Sequence, residues 1–207
     1  MILGITGSSG AGKTTVCEIL KNEYNFKIII ADDIARNLSK KGTDYFKEIV
    51  SEFGNEILLD NGELNRKKIA NIIYNNKENR EKLNNCTFKY IVKEIKEQIS
   101  KQTNNNIAID APLLFEANLD KLCDITVAVI SESLKEQVNR IIKRDNISEE
   151  EATARIRAQQ TNDFYIENCN YKIINNNDLN KQIGLLIGKV TSSHVTNSSR
   201  ITRQKVT

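Results

Sequence analysis

Histidine is nearly missing from this sequence. The one copy, His194, lies in a terminal segment of serine, threonine and basic residues. Histidine acid–base chemistry is thereby excluded from the body of the chain. Long apolar runs are missing too. No stretch approaches the roughly 20 residues that cross a bilayer as a helix. The first apolar run has no basic residue before it and breaks at Gly7, Ser8, Ser9 and Gly10, unlike a secretory signal. The expectation is a cytoplasmic protein with no membrane partner. The four cysteines, Cys17, Cys86, Cys123 and Cys169, form no C-x-x-C pair and have no histidine near them. They read as reduced thiols, with neither a zinc site nor a disulfide framework.

A one-sided charge is also absent. The net charge is +3, but Arg200, Arg203 and Lys205 sit in the segment from Thr191 to Thr207, which has no acid. With those three set aside, basic and acidic residues are equal in number, so no nucleic-acid partner is expected. That segment also lacks apolar periodicity and reads as a disordered tail. What remains, residues 1–190, is long enough to bury a core as one domain.

Five short segments read as strands: Ile2 to Thr6, Lys27 to Ala31, Asn106 to Asp110, Ile125 to Ile130 and Tyr171 to Ile174. Most are continuous aliphatic runs, as in a parallel sheet covered on both faces. Helical patterns alternate with them, at Thr14 to Glu23 and Leu134 to Arg144, which is the βαβ signature of a doubly wound α/β fold. The gap from Asp32 to Asn105 is too long for one crossover helix. Its clearest helical stretches are Asn65 to Tyr74 and Lys77 to Lys101. We read a helical insert there, placed as a substrate-binding cap. Asn-rich pieces near Asn75, Asn104 and Asn175 read as turns.

Gly7-Ser8-Ser9-Gly10-Ala11-Gly12-Lys13-Thr14 matches G-x-x-x-x-G-K-[ST] at every fixed position, with a strand before it and a helix after. The residue types follow from the chemistry. Backbone N–H groups must converge on phosphate oxygens, which needs glycine conformations and no intruding side chains. The next helix points its positive end at the same anion. In such a P-loop Lys13 reaches the β- and γ-phosphates of ATP, and the Thr14 hydroxyl ligates Mg²⁺. The N-K-x-D and D-x-x-G elements of a switch GTPase are absent, as is the L-S-G-G-Q of a transporter ATPase. A small-molecule kinase with a lid remains.

Two features add to that reading. Asp32 and Asp33 stand just past the second strand, where doubly wound folds bind ligands. One carboxylate there can orient an attacking hydroxyl or take its proton, and we assign Asp33 to capping the next helix, leaving Asp32 free. Arg140 and Arg144 are four apart, so they share a helix face. Arg155 and Arg157 follow a loop of acidic residues. Arginines here can clamp a transferring phosphoryl group or form a solvated basic face.

Several dispersed segments resemble those of dephospho-CoA kinases. They are Ile30-Ala31-Asp32-Asp33-Ile34-Ala35-Arg36, Gly62-Glu63-Leu64-Asn65-Arg66 and Asp110-Ala111-Pro112-Leu113-Leu114-Phe115-Glu116. Arg144-Asp145 and Arg155-Ile156-Arg157-Ala158-Gln159 resemble the family's lid, and Asn175 stands at its late asparagine. The resemblance runs from Met1 to about Val190. The chain departs from the family pattern at Phe88-Lys89, in place of His-Pro, and at Tyr165, Cys169 and Asn170.

The resemblance implies a P-loop kinase with a doubly wound parallel five-stranded sheet, a CoA-binding helical insert over about 36–105 and a helical lid over about 140–165. It implies ATP and dephospho-CoA as substrates, phosphorylation of the ribose 3′-hydroxyl, and Mg²⁺ as cofactor. Gly10, Ala11, Gly12, Lys13, Thr14 and Thr15 would cradle ATP, with Arg144 and Asn175 beside it. Lys13, Asp32 and Arg140 would be catalytic. Asp32, Arg36, Pro112, Leu113, Leu114 and Phe115 would meet the acceptor. Two other readings stand beside it: a P-loop kinase for another alcohol, and a nucleotide- or CoA-sensing module without turnover.

Overall fold

The computed structural model describes residues 1–74, 76–103 and 106–203, and for Tyr74 and residues 193–203 the backbone only. The turns expected at Asn75 and Asn104, the His194 side chain and residues 204–207 lie outside the described residues.

The five aliphatic runs form one parallel sheet, with strands β1 (Ile2–Thr6), β2 (Lys27–Ile30), β3 (Ile107–Asp110), β4 (Ile125–Ser131) and β5 (Tyr171–Asn175). Its order is β2-β3-β1-β4-β5, with every neighbouring pair parallel. β1 is central, and the chain leaves it toward β2 on one side while β4 and β5 build the other. Its carboxyl end is therefore the crevice where such folds bind ligands.

Helices cover both faces. Leu3, Ile5, Val127, Val129 and Ile173 pack with Val16 and Leu20 of α1 (Lys13–Tyr24) and with Ile183, Leu186 and Val190 of α9 (Leu179–Arg203). The other face, through Ile29, Ile107 and Ile109, meets the insert: α2 (Ala31–Leu38), α3 (Asp44–Phe53), α4 (Arg66–Tyr74) and α5 (Lys77–Ser100). The lid follows β4 as α6 (Leu134–Asp145), α7 (Glu149–Arg157) and α8 (Asn162–Asn168).

Three expectations change. The acidic stretch before Arg155 is not a loop. It is the first turn of α7, nucleated by a capping box in which Ser148 and Glu151 bond each other's backbone N–H. Asp33 does not cap a helix. β2 turns directly into α2 at Ala31, which puts Asp32 and Asp33 inside its first turn, behind an Ile30 cap with no side-chain bond. The segment from Thr191 continues α9 to Arg203, and Val190 is the last buried residue among those whose side chains are described.

On the edge strand β5, one side chain covers the outward backbone groups of Ile174. Gln182 of α9 accepts from the Ile174 N–H and donates to the Ile174 carbonyl, each at 2.9 Å. On its inner side β5 is pinned to β4 by Asn170, whose Oδ1 accepts from the Thr126 N–H at 2.8 Å.

Candidate active site

The residues between β1 and α1 form a tight loop over the sheet's central crevice. Its glycines are sterically required. A Cβ on Gly7 would lie 2.2 Å from the Val129 carbonyl oxygen, and one on Gly12 would lie 1.9 Å from Asn175 Nδ2. Gly12, at φ 106°, is the N-cap of α1 and gives it no side-chain cap. The helix's first N–H groups thus remain available to an anion. Thr14 and Thr15 are exposed at this helix start. The Lys13 amine donates to Gly7 O at 2.9 Å and Ser8 O at 3.2 Å. Burial holds its pKa down, with Asp110 and then Asp32 opposing that shift.

Asp110 is a functional candidate to which sequence reasoning gave no role. It ends β3, beside β1, and is 8% exposed. Burial raises its pKa from 3.8 to about 6, against the attraction of Lys13. Its Oδ1 is buried without a hydrogen-bond partner. An orphan carboxylate oxygen next to the P-loop suits a divalent cation. Asp110 and the Thr14 hydroxyl are the donors that would hold Mg²⁺, which binds through one or two protein oxygens plus substrate phosphates. Among the described residues no cluster of three or more His, Cys, Asp or Glu side chains could hold a metal without such help. The signal was available in sequence, because Asp110 stands at a strand's carboxyl end by the same rule that selected Asp32.

The helices expected to form a lid meet the loop through α6. Arg140 donates to Gly10 O at 3.2 Å and to Ser131 Oγ at 3.2 Å, and pairs with Glu136. Arg144 donates to Ser9 Oγ at 3.2 Å and grips Asp145 through two bonds of 2.8 Å. Both arginines share one face of α6, as their spacing implied, and that face meets the P-loop. Arg155 also bonds Asp145, joining α7 to α6. These arginines hold the Asp145 carboxyl below its ordinary range, with the Arg144 hydrogen bond the largest cause. Gln137 of α6, 3% exposed, and Gln159, just past α7, also bond the loop. Gln137 carries no motif. Its only sequence signal is a polar residue next to Val138 on the buried face of α6.

The residues expected to meet the acceptor are less bound. Asp32 and Arg36 are exposed on α2, and Arg36 pairs with Asp33 at 3.6 Å. Arg66 ties α2 to α4 by donating to Ser39 Oγ at 2.6 Å and to Arg36 O at 3.3 Å. Pro112 O accepts from Thr6 Oγ1 at 3.3 Å, and Leu113 is half-buried beside it. Leu114 differs from expectation. It is fully buried against Gly4 and offers no surface to a ligand. Phe115 stacks edge-on with Phe164 of α8, at 5.7 Å, joining this loop to the lid. Asn175 lies under the P-loop and donates to Ala11 O at 3.1 Å.

The family departures sit away from the P-loop. Phe88 packs inside the insert, and Lys89 pairs with Glu48 of α3 at 2.5 Å. Tyr165 fills the core beneath the lid with Ala128 and Ile130. Between insert and lid runs a cleft of about 680 Å³, whose walls include Lys77 and Arg80 on one side and Glu149, Thr153 and Arg157 on the other.

Comparison with known proteins agrees with this architecture. The family model for dephospho-CoA kinase matches residues 1–181. A dephospho-CoA kinase of Fusobacterium nucleatum is 42% identical over 179 residues, covering 86% of this chain and 91% of that protein. A crystallised Thermus thermophilus protein, TT1252, shares the fold with a TM-score of 0.77 at 24% identity, covering 93% of this chain and 97% of its own. A solved dephospho-CoA kinase from Campylobacter jejuni has a TM-score of 0.63 at 28% identity, covering 93% of this chain and 98% of its own. The chain belongs to the dephospho-CoA kinase family.

Proposed function

We propose that this protein transfers the γ-phosphoryl group of ATP to the ribose 3′-hydroxyl of dephospho-CoA, giving CoA and ADP. The observation that carries the reading is the convergence of Lys13, Asp110 and Asp32. Asp110 pairs in register with Ile5 of β1, just before the P-loop, and with Ile30 of β2, two residues before Asp32, so both carboxylates stand with the P-loop at the carboxyl ends of adjacent strands, where such folds bind ligands. In the proposed reaction the acceptor 3′-oxygen bonds to the γ-phosphorus as the bond to the β–γ bridging oxygen breaks. The proton of the hydroxyl passes to Asp32, whose exposure leaves it open to the acceptor. Lys13 and the α1 start balance the charge of the β- and γ-phosphates, and Arg140 holds the lid helix over the same oxygens. Mg²⁺, held by Thr14 and Asp110, would neutralise phosphate charge.

Arg36, Pro112, Leu113 and Phe115 form the acceptor side, and the insert–lid cleft gives room for the rest of the CoA chain. The reaction runs in the cytoplasm between small molecules and without nucleic acid. The balanced charge of residues 1–190 and the lack of a helix able to cross a membrane among the described residues support this.

The test is a coupled ADP assay with dephospho-CoA, AMP and adenosine as acceptors. Turnover is expected with dephospho-CoA, and the product should carry its new phosphate on the 3′-oxygen by mass spectrometry. ADP release with AMP or adenosine at equal efficiency would assign the site to another alcohol.

A further inference from the structure

Every polar group of Ser9 is held by the lid. Its N–H donates to Gln159 Oε1 at 2.7 Å, its carbonyl accepts from Gln137 Nε2 at 2.6 Å, and its hydroxyl accepts from Arg144 at 3.2 Å. Gln137 Nε2 has a second hydrogen, and that one goes to Ser8 Oγ at 2.7 Å. Arg140 already has a place in the proposed reaction, and the family resemblance sets Arg144 beside ATP. The two glutamines have no such assignment.

Peptide planarity gives these bonds a directional meaning. In a trans peptide the C=O and N–H point in opposite directions. When Gln159 takes the Ser9 N–H, the Ser8 carbonyl must face the other way. There it accepts from Lys13 Nζ and from the Ala11 N–H, both at 3.2 Å. When Gln137 holds the Ser9 carbonyl against α6, the Gly10 N–H of the same peptide must point away from Gln137. Reversing either unit would replace a donor by an acceptor in the loop that meets phosphate, or remove the Ser8 carbonyl from the P-loop lysine. The chemistry also fixes which way the amides point. Only nitrogen can face the Ser9 carbonyl, and only oxygen can face its N–H.

We propose that Gln137 and Gln159 are positioning residues that pin the two peptide units flanking Ser9, and that through them the lid sets the shape of the P-loop for the nucleotide. The inference rests on the P-loop binding nucleotide and is independent of which alcohol is the acceptor. It predicts coupling: once one unit has turned, the second glutamine has little left to hold.

The experiment uses the full chain with Gln137→Met, Gln159→Met and the double variant, which keep side-chain length and remove the amide. ATP and ADP affinities are measured by calorimetry, and both Michaelis constants by the coupled assay. Each single change is expected to weaken nucleotide binding by about 10- to 100-fold, the usual cost of losing a partner for a buried polar group. The KM for dephospho-CoA should stay within about twofold, since neither glutamine reaches the acceptor side. The double variant should lose clearly less than the product of the single losses. Gln137→Glu should be worse than Gln137→Met, because it sets an acceptor against the Ser9 carbonyl. Parental nucleotide affinity in folded Met variants would overturn the proposal, as would multiplicative losses in the double variant. If Gln137→Met does not fold, the half-buried Gln159 carries the test alone. Calorimetry needs no acceptor, so these results stand even if dephospho-CoA proves to be the wrong substrate.

Discussion

The two sides of this site are built differently. On the nucleotide side, the loop from Gly7 to Gly12 is held by the sheet below, Asn175 beneath and α6 above, and its lysine is buried. On the proposed acceptor side, Asp32 and Arg36 stand exposed on the first two turns of α2, and Arg36 pairs with its helical neighbour Asp33. A phosphate site gains from groups fixed before the charge arrives, because reorienting dipoles during reaction costs free energy. An acceptor site on an insert and a lid gains from surfaces that can close. The difference teaches where substitutions will be severe and where they will act on one step only.

The largest effect should come from the nucleotide side. Lys13→Ala should abolish phosphoryl transfer and weaken ATP binding, read by turnover and calorimetry. Retained turnover would remove the loop from the chemistry. Asp32→Asn should lower turnover on dephospho-CoA by roughly 10²–10⁴-fold and leave ATP affinity nearly unchanged. Asp33→Asn, which disturbs only an exposed pair with Arg36, should change turnover by less than about twofold, since such pairs contribute little. If the two neighbours behave alike, the acceptor side has no specific base.

Asp110 lies between the two sides, and its effect on stability sharpens the contrast. Its folded pKa is raised to about 6 from 3.8, so between those values the folded state binds more protons than the unfolded one. Stability contributed by this group is therefore present below about pH 4 and is lost as pH rises to about 6. Asp110→Asn removes the cost of a buried charge. It should stabilise the metal-free protein at pH 7 by on the order of 2–3 kcal/mol, with the gain vanishing near pH 4, while turnover falls. Melting curves across that range check the sign. The smallest effect is expected far from both sides. Removing residues 193–207, whose sequence lacks the apolar periodicity of a core-facing helix, should shift stability by less than about 0.5 kcal/mol and leave turnover unchanged.

The sheet was legible because its strands are continuous aliphatic runs, buried on both faces, and a run such as Ile107–Asp110 has no competing reading. The P-loop was legible because its chemistry fixes residue types at fixed spacing. Local boundaries were harder. Asp33 looked like a cap because Asp often is one, but β2 passes into α2 without an intervening turn. Ser148 to Glu151 carried the capping-box pattern, yet three successive glutamates read as loop. Leu114 belonged to a motif resembling the family's acceptor loop, while its own side chain faces the core. Gln137 was invisible for a different reason. Its partners, Ser8 Oγ and the Ser9 carbonyl, are about 130 residues away, and no spacing rule connects a helix face to a loop across a sheet.

The amide of Gln182 has a consequence beyond the site. An outer strand of a sheet is a template on which a stray chain can add itself, and crowded, newly made protein is full of stray chains. At Ile174 both backbone groups that such a chain would need are already satisfied by one side chain. Replacing Gln182 by leucine would leave the phosphate machinery untouched, and its damage would appear as concentration-dependent aggregation seeded along β5.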